Sequence, residues 1–82
     1  MHEEIIKIKN KQDFLSFLNM FIKDFKNNKD SWGNSTVDTF LEGMESWIDD
    51  MEGYYINMNL PVPENIDWKV FADILYASKM YE

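Results

Sequence analysis

The chain has 82 residues, 45% hydrophobic and 16% aromatic, which is core material for one small domain (residues 1–82) and too much for a disordered segment. It has no cysteine and one histidine, His2, so disulfides, thiolate metal sites, thiol nucleophiles and histidine-based triads are excluded together. Fifteen acids face eight lysines with no arginine, and the net charge of −7 argues against nucleic acid and anionic membrane as partners.

Residues 1–9 carry Ile5, Ile6 and Ile8 among charges and read equally as a short strand, a helical turn or an arm packed on the core. The first main helix is predicted over about 11–28, with Asn10 as its cap and Asp13 in its first turn. At about 100° per residue, Phe14, Leu15, Phe17, Leu18, Phe21, Ile22 and Phe25 gather on one side, opposite Ser16, Asn19, Lys23, Lys26 and Asn27. Trp32-Gly33-Asn34 is a turn, with Trp32 placed to cap the end of a bundle.

Ser35 or Thr36 then caps a second helix, predicted over 36–52, with Asp38 near its positive end. Val37, Phe40, Leu41, Met44, Trp47, Ile48 and Met51 make its apolar stripe. Gly53 fits the left-handed position just past its end. Residues 54–66 contain Pro61 and Pro63, which forbid a helix, and their apolar content predicts a segment packed on the helices. The third helix is predicted over 67–81, opened by a hydrophobic staple between Ile66 and Phe71. Trp68, Phe71, Ala72 and Leu75 form one stripe, and Val70, Ile74, Ala77 and Tyr81 a second. Together they cover roughly 220° of the helix, more than an outer helix needs, so this helix is expected at the centre. Trp47 and Trp68 fall on core stripes. The fold class is all-α: a small bundle of three main helices, with an N-terminal arm and a packed proline-containing segment.

Charge is unevenly placed. Residues 1–29 hold Lys7, Lys9, Lys11, Lys23, Lys26 and Lys29 against four acids, for +2; residues 30–82 hold eleven acids against Lys69 and Lys79, for −9. Either the two parts attract each other within the fold, or the acidic part faces a cationic partner. No apolar run approaches the ~20 residues of a membrane span and no signal-peptide pattern opens the chain, so a cytoplasmic protein is expected.

The candidate site is the second helix together with the tyrosine pair beyond its end. Asp38, Glu42, Glu45, Asp49 and Glu52 step by 4, 3, 4 and 3 along one face, with no lysine on the helix to relieve them. This row reads as a solvated face or as a recognition surface for a basic protein. A divalent metal is the minor reading, because residues 49–53 lack the alternating ligands and distal glutamate of a calcium loop. Tyr54 and Tyr55 come directly after the row, a residue type that anchors interfaces, so acids and tyrosines form the patch expected to bind a partner. A pocket lined by the tryptophans is a lesser alternative. The carboxylates are plentiful, but nothing accompanies them that activates a nucleophile or holds a phosphate. The expectation is a protein without catalytic residues, metal or cofactor.

Asp13-Phe14-Leu15, Phe17, Trp32, Asn34, Thr36, Phe40-Leu41-Glu42, Trp47, Gly53-Tyr54-Tyr55, Trp68, Phe71-Ala72, Leu75, Ala77 and Tyr81-Glu82 occur in that order. In this the chain resembles a family of small bacterial proteins known only as a domain of unknown function. That family shows a Trp-x-Asn-x-Thr turn, a Phe-Leu-Glu helix and a Trp-x-x-Phe-Ala-x-x-Leu helix closing in Tyr-Glu. The resemblance implies fold and lineage and brings no catalytic residues. Gly33 stands where the family often has an acid. Asp49, Asp50, Glu52, Tyr54 and Tyr55 are also similar to the surface of colicin-type immunity proteins, an analogy of surface, since the flanking helices differ. The expected function is a binding module that neutralises a basic protein such as a toxin. The rival is a structural or homodimeric module, using the second stripe of the third helix with Tyr76 and Met80.

Overall fold

Asn10 stops one helical turn and starts the next. In the computed structural model, which describes residues 1–82, α1 spans His2–Ile6 and α2 spans Lys11–Asn28. The Asn10 side chain accepts the Asp13 N–H at 2.9 Å, while the Asp13 carboxylate accepts the Lys9 N–H at 3.0 Å. Two otherwise unpaired amides at the entry of α2 are thereby satisfied. A single 3-10 turn, Lys29–Ser31, comes next; then come α3, Val37–Asn57, and α4, Trp68–Ser78. Thr36 caps α3 by a capping box with Thr39, and Asp67 caps α4 by accepting the Val70 N–H at 2.8 Å.

The architecture is all-α, and α4 is its hub. It packs against α1, α2 and α3, whereas the backbones of α2 and α3 do not meet. The expectation of a central third helix therefore holds. Its two stripes serve two clusters. Ala72 joins Ile5, Ile8, Phe14, Phe17, Phe21 and Trp32, with Leu75 and Tyr76 packed against them. Val70 and Ile74 join Trp47, Met51 and Tyr55, flanked by Ala77 and Tyr81. The N-terminal arm is a helical turn that seals the first cluster with Ile5 and Ile8.

The Trp-x-Asn turn ties the far end together. Trp32 lies 4.7 Å from the Phe21 ring and 5.0 Å from that of Phe25, centroid to centroid, and its Nε1–H donates to Asp24 at 2.8 Å. The same Asp24 oxygen accepts Lys79 Nζ at 2.8 Å. Asn34 is buried. Its Nδ2 donates to the carbonyls of Ser78 at 2.9 Å and Tyr81 at 2.6 Å, and its backbone N–H donates to Lys79 O at 2.9 Å. Asn34 thus makes three of the bonds that hold the C-terminal turn down.

Several expectations are corrected. The second helix does not stop at 52. Gly53 is an ordinary helical residue, and the left-handed residue is Asn59, with φ 57°. Leu60 N–H donates to Tyr55 O and Asn59 N–H to Ile56 O, the paired bonds of a Schellman end. The physical reason is burial: Tyr54 and Tyr55 continue the face of Trp47 and Met51. Seating an aromatic ring, at ~2 kcal/mol or more, exceeds the ~1 kcal/mol cost of an internal glycine. The proline-containing segment is not packed: between Met58 and Asp67 only Pro63 is even half-buried. The staple is absent, because Ile66 stands in solvent. Trp68 is 41% exposed at the first turn of α4, leaning on Phe14 at 5.2 Å rather than filling the core. Leu15 and Ile22 on α2, and Val37, Leu41 and Ile48 on α3, lie at the edges of their apolar stripes and stay exposed.

Candidate functional site

The acidic row survives in three dimensions. Asp38, Glu42, Glu45, Asp49 and Glu52 are all exposed on α3, and none makes an ion pair. The lysines of the first part do not neutralise them. The one ion pair joining separate elements, Lys79 to Asp24, runs the opposite way, from the acidic part's lysine to the basic part's acid. No ion pair joins a lysine of residues 1–29 to an acid of residues 30–82. Asp38 is fixed at the helix entry. The Thr36 hydroxyl donates to its carboxylate, and with the Thr39 N–H holds it below the usual range.

The tyrosines do not join the row. Because α3 continues through Gly53, residues advance by about 100° each, which turns Tyr54 about 160° and Tyr55 about 100° away from the row's midline. Tyr55 is 2% exposed, and its hydroxyl donates to Asp73 at 2.6 Å. Burial, then this carboxylate, pushes its phenol well above the ordinary range. Tyr54 is half-buried, its ring 5.6 Å from Trp47 and 5.0 Å from Tyr55; burial and the Asp73 charge raise its phenol too. Both are core aromatics. Of the seven residues singled out from sequence, the five acids remain available to a partner, and the tyrosines do not form one patch with them.

Sequence reasoning missed what borders the row. Val37, Leu41 and Ile48 lie about 60–100° from its midline, on one flank, and are 78%, 54% and 41% exposed. Val37 and Leu41 open into a cleft of about 250 Å³ walled by Phe25, Trp32 and Phe40, between the end of α2 and the start of α3. The three apolar side chains were in the sequence as the edge of α3's stripe, but the cleft they open into was not. The cleft is smaller than the ~300–1,000 Å³ typical of small-molecule sites and suits a side chain or two. No three His, Asp or Glu side chains are placed to hold a metal ion together.

Residues 10–82 match a family of unknown function, DUF7660. The chain belongs to that family. The matched span of DUF7660 begins at the α2 cap, so residues 1–9 lie outside it although Ile5 and Ile8 are core residues here. No curated protein and no solved structure matches the chain. No helix is long and apolar enough to cross a membrane.

Proposed function

We propose that this DUF7660 protein is a non-catalytic binding module that neutralises a basic protein, in the manner of an immunity protein or antitoxin, and acts in the cytoplasm without a cofactor. The observation supporting this is the row on α3: carboxylates along one face of one helix, exposed and without an internal cation. Opposite potentials accelerate encounter and select partners by sign. Of the surface first suggested for the self-assembling alternative, only Met80 is exposed. The second stripe of α4 is occupied by α3, and Tyr76 is half-buried in the first cluster.

The test is affinity capture from the source cells with the wild-type chain and with Glu45→Lys/Asp49→Lys. A basic protein held by the first, lost from the second, and associating more slowly as salt rises is the expected result. A partner held equally by both variants would end the proposal.

A further inference from the structure

The apolar cleft beside the acidic row has a shape and a border that select its occupant. Val37, Leu41 and Ile48 step by 4 and 7 along α3, the spacing of a straight seam that a partner helix can track. The seam opens at one end into the 250 Å³ cleft, whose walls are the rings of Phe25, Trp32 and Phe40. On its outer side runs the unpaired row from Asp38 to Glu52. The molecule also leaves more surface uncovered than its mass requires. Its 5774 Å² compares with about 5,200 Å² for a folded chain of this mass, and its radius of gyration of 12.6 Å with about 11.7 Å.

We infer that this seam and cleft seat a lysine- or arginine-bearing amphipathic helix of a partner protein, its apolar anchor in the cleft and its cations along the acidic row. The inference rests on the proposed neutralising role and specifies what that role recognises. Charge complementarity along the middle of α3 decides the occupant, while at the cleft Lys29 stands 5.4 Å from the Phe25 ring centre, so the anchor that enters there is apolar and uncharged. A helix laid along the seam brings its flank over Glu42, Glu45 and Asp49, so cations there are paired and anions are opposed. A second copy docked antiparallel by two-fold symmetry would set acidic row beside acidic row, and one docked parallel is told apart by sedimentation. The cleft then supplies what charge alone does not, a desolvated anchor that slows dissociation.

The probe is a synthetic amphipathic helix of leucine, alanine and lysine. Its controls are a peptide of the same composition in scrambled order and one with glutamate in place of lysine. Binding to the full chain is measured by titration calorimetry and stopped-flow fluorescence of the tryptophans. Val37→Ser/Leu41→Ser keeps the charge and changes only exposed side chains; circular dichroism checks that it stays folded. It is expected to weaken binding of the amphipathic peptide about tenfold or more through faster dissociation. Glu42→Lys/Glu45→Lys is expected to slow association about tenfold at low salt, with the difference shrinking as salt rises. The scrambled and glutamate peptides should bind far more weakly.

If the cleft variant binds as the wild type does while charge reversal abolishes binding, the cleft inference falls and the neutralising role stands. If neither variant changes binding, or the wild type does not bind the peptide, both fall. A dimer seen by sedimentation at micromolar concentration and removed by Val37→Ser/Leu41→Ser would make a second copy the occupant and overturn the inference.

Discussion

Two glycines on one helix should respond oppositely to alanine. In a helix interior, Gly→Ala is worth up to about 1 kcal/mol of stabilisation, because alanine loses less backbone freedom. At Gly53 a Cβ would meet nothing within 4 Å, so that gain should appear in full. About 0.5–1 kcal/mol raises Tm by about 2–8 °C in a domain of this size. At Gly43 the same atom would lie 2.5 Å from Asn34 Nδ2, 2.7 Å from Tyr81 O and 3.0 Å from Ser78 O. The latter two are backbone carbonyls, and the amide is itself fixed by bonds to both. Relief means giving up an Asn34 hydrogen bond in a buried site, about 1–3 kcal/mol, or lifting the C-terminal turn from α3, of similar size. Set against the propensity gain of about 1 kcal/mol, the net loss for Gly43→Ala is up to about 2 kcal/mol. Urea unfolding monitored by circular dichroism measures it: the midpoint should fall for Gly43→Ala and rise for Gly53→Ala at unchanged slope. In an Asn34→Ala background the cost of Gly43→Ala should shrink, since the nearest obstacle is gone. A Gly43→Ala midpoint at or above wild type would refute the packing account of the C-terminal turn.

Three further outcomes rest on particular contacts. The bond from Lys79, helped by those from Trp32 and Asn28, holds the Asp24 carboxyl below its ordinary 3.8, so its contribution is present above that pH and lost as pH falls through the lowered folded value; Asp24→Asn should flatten acid unfolding below about pH 4, read by tryptophan fluorescence. Burial and Asp73 raise the Tyr55 phenol above 10.0, so its contribution is intact below pH 10 and fades above it; Tyr55→Phe should cost about 1 kcal/mol at neutral pH and reduce the alkaline loss seen in urea titrations. Residues 58–66 are almost wholly exposed and lie outside the helices, so limited proteolysis should cut there first, with fragments read by mass spectrometry.

Much of the fold was legible because local signals and core pattern agreed. Asn10 with Asp13, Thr36, and Asp67 each cap the helix they announce, and the doubled stripe of α4 foretold its place between α2 and α3. Gly53 misled because a glycine fits a helix end, yet Tyr54 and Tyr55 beyond it carry a face that is buried only if the helix continues. That single extension moved both tyrosines off the acidic row and dissolved the expected patch. The proline segment misled because apolar content does not say what a segment packs on: Trp68 and Phe71 of α4 stay exposed, and residues 58–66 do not cover them. The cleft was illegible for a related reason. Phe25, Trp32 and Phe40 meet only when the turn after α2 folds back, a tertiary fact that periodicity does not contain.

The acidic row itself carries an energetic argument. Asp38–Glu42 and Glu45–Asp49 are four residues apart, Glu42–Glu45 and Asp49–Glu52 three, and each like-charge pair costs about 0.2–0.5 kcal/mol. The sum, about 1–2 kcal/mol, is a sizeable share of the ~5–15 kcal/mol that holds a small domain folded. Solubility does not require it, since interspersed charges of both signs serve as well, as on α2, where exposed Lys23 and Lys26 flank Asp24. What an unrelieved row adds is a field of one sign projected from one helix face. A field acts only on something that approaches, and the apolar seam along the same helix is where an approaching cation-bearing helix would come to rest.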